Sequence, residues 1–258
     1  MSGNISYNGK LMKNKADMAF LGNRLFRYGD GFFESMRLHQ GSLPLWDFHL
    51  ARIEQSLDLL EMEIICTKNA LKKAIFQLLE ANNHQREARI RLAFFREGGG
   101  LYTPEGHRAA FWIETEEKQA TASFLQPQKA GGRIGFFEKA SKQPHPWSGI
   151  KSSNAQLYVM AALERKKQDW AEILISNNAG NIIEASASNL FIRKGDKMFT
   201  PPLSDGCVAG CMRAYLLKNN PNITSHSLHK EDLLQADEIW LTNAVAGIRI
   251  YDKTNIQQ

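Results

Sequence analysis

The 258 residues, 43% hydrophobic and 23% charged, suffice for one large core or two modest ones and have the balance of an ordinary globular protein. The net charge of +5 does not mark a nucleic-acid footprint, because the longest basic run, Arg165-Lys166-Lys167, is flanked by Glu164 and Asp169 and reads as a solvated helix face that would suit anionic metabolites. No apolar run approaches a membrane span and the N-terminus lacks the apolar core of a signal peptide, so the expectation is a cytoplasmic protein with neither membrane nor nucleic acid as partner.

The chain opens as a hairpin, with Ile5 to Tyr7 turning at Asn8-Gly9. Residues 32–38 read as a strand. From 46 to 63, Leu50, Ile53, Leu57 and Leu60 recur at helical spacing. Thr67 is a fitting N-cap for a second helix with Leu71, Ile75, Leu78 and Leu79 on its core face. Strands follow around Ile90, Leu92 and Phe94 and over 109–114. Residues 116–128 are polar and aperiodic and look like a linker or crossover. The expected division is a smaller N-terminal α/β domain over 1–118, a linker over 119–130, and a larger C-terminal domain over 131–258.

That second half begins with a strand at 133–137 and an irregular loop at 142–149 carrying Pro144, Pro146 and Gly149. A helix is expected over 153–168, and strands over 172–176, 181–184, 189–193 and 197–200. A short helix over 210–217 and strands over 238–242 and 247–251 complete it. The three cysteines, Cys66, Cys207 and Cys211, include no CxxC pair, which points away from a disulfide framework and from a metal site and toward free thiols.

One lysine and one glutamate stand out. Lys151 follows the proline-rich loop at the mouth of a helix-forming run. Glu184 ends an apolar strand and precedes the small turn Ala185-Ser186-Ala187-Ser188-Asn189. Pyridoxal phosphate has three handles: an aldehyde that needs an amine, a ring nitrogen that needs an acid, and a phosphate that needs N–H donors and cations. Lys151 fits the first handle. Glu184 fits the second, with small residues such as Ser186 and the nearby Asn189 allowing a flat ring to approach. For the third, Gly210, Cys211 and Met212 open a helix, and Thr242, Asn243 and Ala244 form a strand-end turn. Arg52 could add positive charge, although its spacing equally suits a surface helix arginine. Taken singly, Lys151 and Glu184 equally suit solvated surface positions.

Six ordered blocks carry a resemblance: RYGDGFFESMR from Arg27, HLARIEQS from His49, GIKSSN from Gly149, GNIIEASASNLF from Gly180, FTPPLSDGCVAGCMR from Phe199 and ADEIWLTNAVAGI from Ala236. Together they resemble the class IV aminotransferases, pyridoxal phosphate enzymes of fold type IV. The resemblance implies an α/β (α+β), two-domain, D-amino acid aminotransferase-like fold, with the cofactor between the domains and a homodimeric assembly. It implies Lys151 as the Schiff-base lysine and proton shuttle, Glu184 at the ring nitrogen and Arg52 at the phosphate. The backbone of Cys211 and Met212, with Thr242 to Ala244, would cradle that phosphate. Within the family, GCMR around Met212 and the ADEIWLTNAV block are most similar to 4-amino-4-deoxychorismate lyases, which implies a small-molecule amino substrate. A branched-chain or D-amino acid aminotransferase is the alternative. The substrate candidates are Arg96, whose guanidinium would match a carboxylate, then Arg27 and Tyr28.

Overall fold

The computed structural model describes residues 3–13, 23–120 and 124–257. It is a mixed α/β protein that divides into two compact units, one of residues 1–121 with 151–154 and the other of residues 122–150 with 155–258. The segment carrying Lys151, expected in the second domain, thus groups with the first. Among the described residues no helix is long and apolar enough to cross a membrane.

The first unit contains β1 (Asn4–Tyr7), β2 (Lys10–Lys13), α1 (Arg24–Tyr28), β3 (Gly31–Leu38), α2 (Trp46–Leu59), α3 (Lys68–Ala81), β4 (Ala88–Arg96) and β5 (Ala109–Glu117). Its strands pair antiparallel in the order β2-β1-β5-β4-β3. Register sets Phe32 opposite Phe94 and Phe94 opposite Phe111, and Phe32 stacks on Phe94 with centroids 4.8 Å apart. The alternation of a pleated strand puts Glu34, Met36 and Leu38 on that same apolar face.

α3 forms as its sequence dictates. Thr67 Oγ1 accepts from the Ala70 N–H, and Leu71, Ala74, Ile75, Leu78 and Leu79 are buried along one stripe. In α2 the buried positions are instead Trp46, His49, Arg52, Ile53 and Ser56, rotated from the expected leucine stripe. The cause is Glu34, which is wholly buried. Arg52 donates to it through Nε at 2.8 Å and Nη2 at 2.6 Å, and His49 Nδ1 lies 2.6 Å from its Oε2. A buried carboxylate must be paired and hydrogen-bonded, so α2 turns its polar residues inward to meet it.

β3 is the sheet edge, and the lysine segment pairs with it. The Phe33 N–H donates to the Lys151 carbonyl and the Ser153 N–H to the Gly31 carbonyl, both at 3.0 Å. Lys151 is therefore strand-like rather than the start of a helix, and the helix that follows begins only at Gln156.

The second unit contains β6 (Pro127–Lys129), β7 (Ile134–Lys142), α4 (Gln156–Lys167), β8 (Glu172–Asn177), β9 (Ile182–Ala185), β10 (Asn189–Lys194), β11 (Lys197–Thr200), α5 (Cys211–Asn219), β12 (Ile223–Ser225), α6 (Lys230–Leu234), β13 (Glu238–Asn243) and β14 (Gly247–Asp252). One sheet runs β6-β14-β13-β10-β9-β8-β7, with β11 on β10 and β12 on β11. β6 falls inside the stretch expected to be a linker and pairs parallel with β14; residues 121–123 of that stretch lie outside the described residues. Leu174, Ile182, Leu190, Ile192, Ile239 and Leu241 pack with Leu228 and Leu233 in one core. Ile173, Ile175 and Phe137 pack under α4 through Ala161, Leu157 and Tyr158.

Burial pushes the Glu34 carboxyl up, but the Arg52 guanidinium and His49 outweigh it and leave it lowered to about 2. A carboxyl depressed from the ordinary range contributes stability that is present above about pH 4.5 and lost as pH falls toward 2, here about 3 kcal/mol at roughly 1.4 kcal/mol per pH unit. Glu34→Gln is expected to remove the buried charge that Arg52 and His49 face and to cost about 3 kcal/mol at neutral pH. It should also flatten the acid limb of stability. Urea titrations between pH 7 and pH 3 check both; an acid limb as steep as in the unsubstituted chain would refute the assignment.

Candidate active site

In the second unit the expected ring and phosphate residues come together through strand register. Glu184 on β9 faces Ile175 on β8 and Asn189 on β10, and Asn189 faces Thr242 on β13. Residues in one register row share a face. The row Ile175–Glu184–Asn189–Thr242 therefore lies on the face that α4 covers.

Glu184 is 3% exposed. Its Oε1 accepts from Lys142 Nζ at 3.0 Å and from the Tyr158 hydroxyl at 2.7 Å, and its Oε2 from the Val208 N–H at 2.9 Å. Burial, then the Glu184 charge, pushes the Tyr158 hydroxyl far above its ordinary range, so it stays a donor. A carboxylate has about four acceptor positions; one on Oε2 remains for a further donor among the described residues. Asn189 Nδ2 donates to the Val208 carbonyl at 2.8 Å, so two residues of the row hold the loop that delivers α5.

α5 starts at Cys211 with Gly210 as its N-cap, and no side chain caps it. An uncapped first turn presents backbone N–H groups and the positive end of the helix dipole. The Gly210 position admits no side chain, since a Cβ there would collide with Asn189 Oδ1. Cys211 and Met212 are buried. Thr242 is fully buried, and its Oγ1 has no hydrogen-bond partner among the described residues. After it, Asn243 Oδ1 accepts from the N–H groups of Val245 and Ala246 and forms a tight turn. Asn243 Nδ2 reaches the Ala187 carbonyl at 3.1 Å and Ser188 Oγ at 3.2 Å. Ala244 lies buried in that turn. Ser186 is half-buried, and its N–H donates to the Ile173 carbonyl. A buried hydroxyl without a partner, an uncapped helix start and an unused carboxylate position are what an anionic, nitrogen-bearing ring ligand would satisfy.

In the first unit, Lys151 is half-buried with Nζ 4.5 Å from the Phe33 ring centroid, on the opposite face of β3 from Glu34. Arg52 is buried and held by Glu34 as described. Tyr28 packs on Tyr102, with centroids 5.5 Å apart, and under the Arg24 guanidinium. Arg27 is exposed on α1. Arg96 is a brace: Nε lies 3.2 Å from Asp30, and Nη1 and Nη2 donate to the carbonyls of Glu61 and Leu60. Its guanidinium is committed to the protein, which removes the geometric reason to give it a substrate carboxylate.

Sequence reasoning missed several residues. Arg24 is buried, pairs with Asp30 at 2.7 Å and donates to the carbonyls of Gly99, Gly100, Leu101 and Tyr102, so it pins the glycine-rich loop. Glu34, His49, Lys142 and Tyr158 were also not singled out. Their side-chain partners lie 15 or more residues away, and no local period carries such a pairing. The one signal in the sequence is the acid at position 34 in a strand otherwise apolar on that face.

Gly210→Ala is expected to cost about 1–3 kcal/mol by overpacking against Asn189. In an Asn189→Ala background the same change should cost clearly less. Urea denaturation of the four proteins checks it, and strict additivity would remove the collision from the account.

Residues 31–252 match the family described as amino-transferase class IV. An aminodeoxychorismate lyase of Vibrio harveyi is 30% identical over 233 residues, covering 88% of this chain and 84% of that protein. An aminodeoxychorismate lyase of Bacillus subtilis is 28% identical over 261 residues, covering 96% of this chain and 86% of that protein. Among solved structures, the branched-chain amino acid aminotransferase of Escherichia coli has a TM-score of 0.85 at 21% identity, covering 97% of this chain and 86% of that one. The expected fold is thereby borne out, and the family match includes strands of both sheets. The chain belongs to the class IV aminotransferase family.

Proposed function

We propose that the chain binds pyridoxal phosphate and acts as an aminodeoxychorismate lyase, releasing pyruvate and 4-aminobenzoate for folate synthesis. The observation that carries the activity is the 30% identity to the Vibrio harveyi lyase over 88% of the chain. What supports the cofactor is the family together with the row of Glu184, Asn189 and Thr242 beside the uncapped start of α5.

When bound, pyridoxal phosphate supplies an aldehyde for amines and an electron sink for a developing carbanion. The α5 N–H groups of Cys211 and Met212, the Thr242 hydroxyl and the turn at Asn243 and Ala244 would take its phosphate, with Arg52 as the cation. Glu184 would hold the proton on the ring nitrogen, and Ser186 and Asn189 would line the ring. Lys151 would carry the amine that anchors the aldehyde, then accept the proton from the amine-bearing carbon of the substrate. Arg27 and Tyr28 are the substrate contacts carried forward; the Arg24 bonds to the loop carbonyls fix the segment on which Tyr28 packs. A homodimer in the cytoplasm completes the reading, supported by the family's usual assembly and by the exposed Val159 and Leu163 on α4.

Purified protein supplied with pyridoxal phosphate and aminodeoxychorismate should release pyruvate and 4-aminobenzoate in equal amounts. Lys151→Ala should lower that rate by about a thousandfold or more. Release of neither product, with amino transfer from leucine or D-alanine to 2-oxoglutarate instead, would make the chain an aminotransferase of the same family.

A further inference from the structure

Glu184 is closely accompanied by a cation, Lys142. Lys142 is the last residue of β7, and its side chain is only 11% exposed. Its ammonium has three donors, and all three are used: 3.0 Å to Glu184 Oε1, 2.7 Å to the Tyr158 hydroxyl and 3.2 Å to the Ser148 carbonyl. Tyr158 in turn donates to the same Oε1. Two donors, the Lys142 ammonium and the Tyr158 hydroxyl, thus converge on one carboxylate oxygen, and Ser148 holds the ammonium in place.

The backbone is built to bring Lys142 there. β7 and β8 pair regularly from Ile134 with Glu172 to Phe137 with Ile175, and then Lys142 pairs with Asn177. Five steps along one strand match two along the other. Regular pairing would have set Lys139 opposite Asn177, whereas Lys139 is exposed and pairs with Glu164. This register shift brings to the position, in place of the exposed Lys139, a lysine that reaches Glu184.

We propose that Lys142, with Tyr158, is a positioning residue that saturates Glu184 Oε1 and so presents Oε2 as the single oxygen left to receive the ring N–H of pyridoxal phosphate. The inference rests on the pyridoxal phosphate reading and deepens it. Val208 fixes Oε2 from one side, and Lys142 and Tyr158 stop the carboxylate from turning. A structural role alone would stabilise the fold without caring what atom stands in the ring. The positioning role is specific to the nitrogen.

The test compares two ligands by equilibrium dialysis against the full-length chain: pyridoxal phosphate, and its analogue with carbon in place of the ring nitrogen. The unsubstituted chain is expected to prefer pyridoxal phosphate. Lys142→Met should reduce that preference about tenfold, the size of one charge-assisted hydrogen bond, and Glu184→Gln should abolish it. Lys142→Arg should restore most of it. Tyr158→Phe, which removes one hydroxyl and keeps the ring, should lower the preference in the same direction by less, and carries the test should Lys142→Met not fold. A Lys142→Met or Tyr158→Phe chain with an unchanged preference, or one that loses affinity for both ligands equally, overturns the role of Lys142. Binding of neither ligand by the unsubstituted chain overturns instead the reading of the site itself.

Discussion

The site residues of the second unit depend on the register of three strands. β10 meets β9 through a single pair, Asn189 with Glu184, and meets β13 beginning with Asn189 and Thr242. A slip of one residue would turn Glu184, Asn189 and Thr242 to the other face. Register is secured by the apolar residues between them: Leu190, Ile192, Leu241 and Ile239 are fully buried on alternate positions or the opposite face, so a slip would expose the core as well. The placement of the row is thus tied to the packing, and two of its polar members, Glu184 and Asn189, both bond to Val208 in the loop before α5.

Two buried carboxylates organise the two units, and they are handled differently. Glu34 is surrounded by Arg52 and His49 from a single helix, and that helix rotates its buried face to reach them. Glu184 draws its partners from three separate places: the end of β7, the first half of α4 and the loop before α5. The first arrangement braces an arginine. The second leaves part of one oxygen available.

Much of the fold was legible in the sequence because its longer elements obey simple periods. The alternation around Ile90, Leu92 and Phe94, and the stripe through Leu71, Ile75 and Leu78, needed only local information. The three-residue strands β6 and β12 and the five-residue helices α1 and α6 were invisible, since so few residues display no period. Lys142 seemed to open a loop because its strand is held by bulged pairing rather than by apolar alternation. Arg96 looked available because sequence cannot show that the carbonyls of Leu60 and Glu61 lie in its reach. For the candidate site, small residues and helix starts drew attention to the segments around Glu184, Cys211 and Thr242, while the groups that fix Glu184 and Glu34 are non-local partners.

The hydrogen bonds of Lys151 to β3 have a further consequence. Its carbonyl is held by Phe33, a residue more than a hundred positions earlier in the chain, whereas the stretches on either side of residues 151–154 belong to the other unit. A fragment beginning after residue 121 would still encode this amine, yet would lack the strand that aligns its backbone. The backbone of residues 151–154 is thus set by a strand from the far end of the sequence, and a transplant of residues 122–258 alone would carry Lys151 without the pairing that holds it.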